Sequence, residues 1–424
     1  MYDLIFIHTP KFNHYFRPLG RVGFINIIPA GLFSMANLLR TNGIKTKIIH
    51  IGVEKVVHQN ISVEDIIKNN RAKVYGISLM WNHQAYECME IARKIKSIYP
   101  ESFILLGGLT ASIYAEEILN LFDFIDGVIK GEGEIPLLLF MQKYLNGGTD
   151  FSDIPNLIYK MGNNIIMNKE FVFAGQDEFN AFKFTDITAL NNYERYAKLK
   201  YVYDYKNPGL MDLLDMLSFW LSPIHYIVIG RGCAYNCSFC AGGYNLRNIL
   251  GRNKPIMKQV DYILGDIETY YKLGIKNFTS AFYYDKEEKK FVEIFNELAR
   301  YFTDISVNQD IWHNLPTEDF IDKFAKLNHR STILLLVYSL SEKQRRLNSM
   351  GKYSNESLMQ VIKYAVRHKV RMRLILFSGL PFEDQETVKE TKSMIKEIGK
   401  VSRYILSFSI PTELSPWLSN ASLP

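Results

Sequence analysis

Apolar runs of strand length alternate with helically spaced apolar residues twice along this chain, and that repetition limits its fold more than any other feature. In the first series the runs are Leu4 to His8, Lys47 to Ile51, Val74 to Leu79, Phe103 to Leu106 and Gly127 to Ile129. Short continuous runs of this kind fit strands covered on both faces, as in parallel sheets. Between them, Leu32, Met35, Leu38 and Leu39 lead to Gly43, and Cys88, Ile91, Ala92 and Ile95 lead to Pro100, each set at helical spacing. Strand and helix in alternation predict an α/β domain over residues 1–149, a doubly wound parallel sheet with its ligand crevice at the carboxyl ends of the strands.

Residues 150–223 break the pattern and are read as a linker, with a hairpin at 156–167 around Gly162-Asn163-Asn164 and a second half, Tyr201 to Trp220, wrapping over one of the domains. A second series occupies residues 224–424. Its strands are Tyr226 to Ile229, Asn277 to Ala281, Ile305 to Asn308, Ile333 to Val337, Arg371 to Phe377 and Tyr404 to Ser409. Between them lie apolar faces at Val260, Ile263, Leu264 and Ile267, at Phe291, Ile294, Phe295 and Leu298, at Leu358, Val361, Ile362 and Ala365, and at Val388, Met394, Ile395 and Ile398. Six strands joined by helices predict a partial (β/α)6 barrel with chemistry at its strand ends.

Bulk properties agree with two domains. A chain of 424 residues, 47% hydrophobic and 22% charged, exceeds what one core organises and has an ordinary globular composition. Its net charge of +6, from 50 basic and 44 acidic residues, is spread out with no block of like charge. A solvated surface explains it, and no nucleic-acid partner is expected. Met1 to Pro10 enters a strand pattern at once, without a basic leader, which predicts a cytoplasmic protein. The apolar stretch Met211 to Gly230 is interrupted by Asp212, Asp215, Pro223 and His225, so no membrane span is expected.

Three of the four cysteines, Cys233, Cys237 and Cys240, stand at C-x3-C-x2-C spacing directly after the first strand of the second series, with Gly230, Gly232, Gly242 and Gly243 on either side. Such clustering in a cytoplasmic chain points to a metal rather than to disulfides. Zinc normally closes its shell with a second cysteine or histidine module, and no such module occurs. A [4Fe–4S] cluster normally takes four thiolates. Three would leave one iron open to a ligand. Cys88 lies on an amphipathic helix face and reads as core.

The segment from Gly230 to Gly243, with Phe239 ahead of the last cysteine, resembles the radical S-adenosylmethionine (SAM) superfamily, whose core is a partial (β/α)6 barrel. The resemblance covers residues 223–411. Gly379-Leu380-Pro381 resembles the turn after the fifth barrel strand. Ser339 and the run Arg345 to Lys352 resemble the segment after the fourth, although Tyr338 stands where a glutamate is expected. The resemblance implies that Cys233, Cys237 and Cys240 are the catalytic cluster ligands. It implies SAM contacts at Phe239, Ala241, Gly242, Gly243, Ser280, Ser339 and Gly379; Ser280, Ala281 and Phe282 occupy the place of a Gly-Gly-Glu ridge.

The first domain is similar to the Rossmann-like cobalamin-binding domain that precedes the barrel in one branch of this superfamily. The matching residues are Gly76-Ile77-Ser78, Leu106 to Ser112 and Gly131-Glu132-Gly133-Glu134. They imply cobalamin contacts at Ser78, Gly107, Gly108, Gly131, Glu132 and Gly133. No Asp-x-His-x-x-Gly motif supplies a lower axial histidine, and His8, His14 and His83 read as ordinary histidines near the crevice.

Together the two resemblances imply a cobalamin-dependent radical SAM methyltransferase acting on an unactivated carbon of a small molecule or peptide, with a reductant such as flavodoxin or ferredoxin. Two alternatives stay open at this point. One is a radical cyclisation, rearrangement or oxidation without methyl transfer; the other is a cobalamin sensor with a structural cluster. Tyr283, Tyr284, Asp310, Trp312, His313 and Tyr338, at barrel strand ends, are candidates for lining the substrate pocket.

Overall fold

The computed structural model describes residues 1–10, 22–24, 28–58, 60–162, 164–199, 202–204, 225–238, 252, 254–402 and 406–409. His14, Phe239, Cys240, Ala241, Gly242, Gly243 and most of the 201–220 segment lie outside the described residues. The chain forms two compact units. The first comprises Met1–His225 and Asp266–Ile275; the second begins at Tyr226 and takes in Arg252–Gly265 and the chain from Lys276 onward.

In the first unit the strands are β1 (Tyr2–His8), β2 (Val22–Phe24), β3 (Thr46–His50), β4 (Ala72–Ser78), β5 (Phe103–Gly107), β6 (Gly127–Ile129), β7 (Leu157–Met161), β8 (Asn164–Met167) and β9 (Val202–Asp204). Seven of them form one sheet in the order β3-β1-β4-β5-β6-β7-β8. The first five strands of that order are parallel. The order reverses between β1 and β4, the point at which a doubly wound sheet opens its crevice.

Helices cover both faces. Ile66 and Ile67, then Cys88, Ile91, Ala92 and Ile95, then Ile118 and Leu119 pack with Ile5, Ile7, Tyr75, Ile77, Ile104 and Leu106 in one core cluster. Each isoleucine or leucine among them contributes roughly 1.5–3 kcal/mol by leaving water. The helices Gly31–Thr41 and Glu134–Leu145 pack against each other elsewhere in the unit. Gly76 is glycine because Phe6 lies against it: a Cβ there would stand 2.9 Å from the Phe6 ring.

The hairpin read from the sequence forms as β7 and β8, and β7 pairs antiparallel with β6. The stretch assigned to a linker therefore extends the first sheet, and residues 164–199 belong to the first unit. Polar strand edges hid this, since Asn164, Ile165, Ile166 and Met167 are all at least partly exposed and show no buried face.

In the second unit the strands are β10 (His225–Tyr226), β11 (Gly230–Arg231), β12 (Ile256–Met257), β13 (Asn277–Ser280), β14 (Ser306–Trp312), β15 (Thr332–Tyr338), β16 (Arg371–Phe377) and β17 (Leu406–Ser409). Six run side by side in chain order, β10-β13-β14-β15-β16-β17, and β13 to β17 are parallel. Crossovers of one hand that always step the same way place their helices on one face of the sheet, as in the wall of a partial barrel.

Burial along the strands shows the two faces. In β14, Val307, Gln309 and Ile311 are buried while Asn308, Asp310 and Trp312 are partly exposed. In β16, Met372, Leu374 and Leu376 are buried while Arg373, Ile375 and Phe377 are not. The covering helices Glu288–Tyr301, Glu318–Phe324 and Asn355–Arg367 bury Phe291 and Phe295, Phe320 and Phe324, and Leu358 and Ile362.

Candidate functional site

The crevice of the first unit is floored by the ends of β4, β5 and β6. Leu79 N–H donates to the Gly107 carbonyl at 2.8 Å, and Ala111 N–H to the Leu79 carbonyl at 3.3 Å, which locks the two loops together. The Ser112 hydroxyl donates to the Gly108 carbonyl at 2.8 Å and accepts Gly131 N–H at 3.0 Å, joining the second loop to the third. Gly108 has φ +107, and a Cβ there would lie 2.7 Å from the Leu79 carbonyl oxygen. Only glycine fits. Gly107 differs: a Cβ on it would meet nothing within 4 Å, so this glycine leaves open space above the sheet end.

The remaining crevice residues have structural partners. Gly133 carries the helix Glu134–Leu145 close to Met35, whose sulfur would be 2.9 Å from a Cβ. The Glu132 carboxylate accepts the Ala174 N–H at 3.1 Å. Asn156, in the left-handed region with φ 61, holds the Lys130 carbonyl at 3.0 Å through its amide. The sequence reading missed it, because its signal is a backbone angle. Ser78 is buried, and its carbonyl accepts the Cys88 thiol at 3.6 Å. Burial pushes that thiol up to about 12, as befits a core cysteine. His8 is fully buried with its ring 5.1 Å from His50 and 6.2 Å from Trp81, and Trp81 stacks 6.2 Å from His83.

The second site is the loop after β11. Gly232, with φ +83, turns the chain. Cys233 Sγ accepts the Tyr235 N–H at 3.5 Å, while Cys237 is buried with its sulfur 3.1 Å from His313 Nε2. Tyr235 stacks on His313 with centroids 3.8 Å apart. Ser238 joins its hydroxyl to the Asn348 side chain and its N–H to the Asn348 carbonyl at 3.2 Å. Asn348 in turn donates to the Pro381 carbonyl at 2.9 Å, as Gln344 does at 2.7 Å, and Arg345 donates to the Ser339 carbonyl at 2.8 Å. The cysteine loop, the end of β15 and the Gly379-Leu380-Pro381 turn are thus one bonded assembly. Two described thiols on a tight glycine-flanked loop, one of them buried against an imidazole, are a donor set that suits an iron–sulfur cluster.

Other predicted residues fall around it. Gly379, with φ +79 and open space where a Cβ would be, turns after β16. The Ser339 hydroxyl accepts Ser341 N–H at 3.1 Å, and the Ser280 hydroxyl donates to the Phe282 carbonyl at 3.4 Å, so both also shape their own loops. Tyr338 ends β15 at φ 64 beside a register shift, with its ring 5.2 Å from Phe377. Tyr283 is a correction to the pocket reading. Its ring lies 5.5 Å from Phe291 and 6.3 Å from Phe320, in the helix layer.

Comparison with known proteins identifies the family of each domain. The B12 binding domain family matches residues 22–140, and the Radical SAM superfamily matches residues 227–395. The chain thus carries a B12 binding domain followed by a Radical SAM domain. The cofactors that go with these two domains are a [4Fe–4S] cluster, SAM and cobalamin.

The enzyme is 24% identical to the hopanoid C-3 methylase of Methylococcus capsulatus over 253 residues, which is 59% of this chain and 42% of that protein. It therefore spans less than half of that relative. In fold it is similar to the radical S-adenosylmethionine methyltransferase TsrM from Kitasatospora setae, solved with cobalamin and a [4Fe-4S] cluster bound, with a TM-score of 0.69 at 13% identity over 97% of this chain and 75% of that one. It is also similar to the cobalamin-dependent S-adenosylmethionine radical enzyme OxsB, with a TM-score of 0.67 at 14% identity over 93% of this chain and 52% of that one. Among the described residues, no helix is long and apolar enough to cross a membrane.

On the sheet face away from the helices one ionisable group stands out. Asp310 shares a row with Leu334 and Arg373 through the strand register. Burial raises its carboxyl to about 7. An acid whose folded value lies above its unfolded value favours the fold when protonated. Its contribution declines as pH rises from about 4 through 7 and is then constant. Asp310→Asn is therefore expected to leave stability unchanged near pH 4 and to raise it by about 2 kcal/mol at pH 8, after discounting for residual solvent contact. Urea melts at the two pH values measure this; an equal effect at both would place the carboxyl in water.

Proposed function

We propose that this enzyme methylates an unactivated carbon of a small molecule or peptide, using SAM, the cluster and cobalamin. The observation that carries the reading is the presence in one chain of both beds: the crevice opened by Gly107 at the sheet end of the first unit, and the cysteine loop clamped by Asn348 in the second. Similar proteins include a methylase and a radical S-adenosylmethionine methyltransferase by name. When bound, the cluster and cobalamin supply reductive cleavage of SAM and methyl transfer.

The chain's own residues hold and orient. Cys233, Cys237 and Cys240 would ligate the cluster, leaving one iron to SAM. Gly379, Ser339 and Ser280, with Phe239, Ala241, Gly242 and Gly243, would frame SAM. Ser78, Gly107, Gly108, Gly131, Glu132 and Gly133 would frame cobalamin. The open barrel face, with Asp310, Trp312, Leu334, Leu336, Arg373 and Ile375, would receive the substrate. Thiolate ligands and an external reductant both suit a reducing compartment, so we place the enzyme in the cytoplasm with flavodoxin or ferredoxin as electron source.

Anaerobic reconstitution with iron, sulfide and cobalamin, followed by SAM, a strong reductant and a panel of candidate substrates, tests the reading. Expected are 5′-deoxyadenosine and S-adenosylhomocysteine together with a product heavier by one methyl. Deoxyadenosine with a rearranged or oxidised but unmethylated product would replace the proposal with a radical reaction of another outcome.

A further inference from the structure

We propose that His313 is a positioning residue for the cluster: its Nε2–H donates a hydrogen bond to the Cys237 thiolate and raises the cluster's reduction potential. The inference rests on Cys237 being a cluster ligand and is independent of the methylation reading.

The contact is built from several directions. His313 follows the carboxyl end of β14, is buried, and has φ 63, a left-handed conformation uncommon among non-glycine residues but one that histidine adopts more readily than most. Gly351 makes room for that backbone, since a Cβ there would stand 2.4 Å from the His313 carbonyl oxygen. Tyr235, inside the cysteine motif itself, lies flat on the imidazole at 3.8 Å and 20°. The Tyr235 hydroxyl donates to Asp285 at 3.3 Å and accepts the Asn314 amide at 3.2 Å. The ring is thereby held with Nε2 3.1 Å from Cys237 Sγ.

Once Cys237 is a thiolate, its sulfur has only lone pairs to offer. The facing nitrogen must then carry the proton, because two lone pairs in contact would repel. A donated hydrogen bond stabilises negative charge on the ligating sulfur, and the reduced cluster carries more of that charge. Reduction becomes easier, and reduction precedes SAM cleavage.

The test uses the full chain reconstituted with iron and sulfide, without cobalamin or substrate. Wild type, His313→Phe and His313→Gln are compared by iron content and by an EPR-monitored redox titration. Phenylalanine and glutamine both lack histidine's preference for the left-handed region, so the comparison between the two variants isolates the N–H, which glutamine retains at similar reach. Expected is full iron in each, a midpoint shifted to more negative potential in H313F, and a midpoint restored toward wild type in H313Q. With a mild reductant H313F should also form 5′-deoxyadenosine at least about tenfold more slowly, and with a strong reductant at nearly the wild-type rate. An unchanged midpoint in iron-replete H313F would overturn the proposal. So would loss of iron from both variants, which would make His313 a ligand or a fold element instead.

Discussion

Cys237→Ser is expected to lose most of its iron and to form 5′-deoxyadenosine at least about a thousandfold more slowly than wild type. The size of the effect follows from the ligand count. In the proposed ligation by Cys233, Cys237 and Cys240, no spare ligand replaces a missing one. A serine hydroxyl is a harder and far less acidic donor than a thiol, and water cannot enter freely because Cys237 is buried beside His313. Cys88→Ser is the control. That thiol is buried in the other unit, 4.0 Å from the Thr9 hydroxyl and against the Ser78 carbonyl, and its replacement should leave the iron content unchanged. Iron analysis and the cluster's visible absorbance read both variants. Full iron in C237S would remove this loop from the cluster.

Gly108→Val should destabilise the first unit by about 3 kcal/mol or more and reduce cobalamin retention at least tenfold. Two costs add. The φ of +107 is hostile to any side chain, and the new Cβ would overlap the backbone of Leu79 and Met80, which cannot swing away as a side-chain tip would. The neighbouring Gly107→Ala separates stability from binding. Its Cβ meets no protein atom within 4 Å, so melting should be unaffected while cobalamin retention falls. Thermal melts of the apo chain beside cobalamin absorbance after gel filtration distinguish the two. Retention that survives in both variants would move the cobalamin bed away from the end of β5.

Periodicity carried the architecture well because buried parallel strands leave few alternatives: Leu4 to His8 and Arg371 to Phe377 lie within or match β1 and β16. The hairpin at residues 157–167 was legible as a hairpin but not as a sheet edge, since pairing to β6 runs through the backbone. Short helices such as Glu318–Phe324 escaped for a similar reason; about two turns offer Phe320, Ile321 and Phe324 and no further repeat. The cysteines announced the cluster loop, whereas its support by Asn348 and the approach of His313 come from left-handed turns at His313 and Ser349, which ordinary residue types do not signal. Tyr283 was misplaced because a residue just past a strand end can turn to either layer, and a helix layer rich in Phe291, Phe320 and Phe324 took it.

The alternating burial of β14, β15 and β16 gives the second unit a division of labour along each strand. Every other residue is committed to the helices and bears the cost of folding, while its neighbours, Asn308, Asp310, Leu334, Ile375 and Phe377 among them, are only partly buried and sit on the side away from the helices. Selection can therefore rewrite one set of letters without disturbing the other. A lineage built on this scaffold is free to exchange substrates by point changes on the open side, keeping the same radical chemistry while the molecule it acts on drifts.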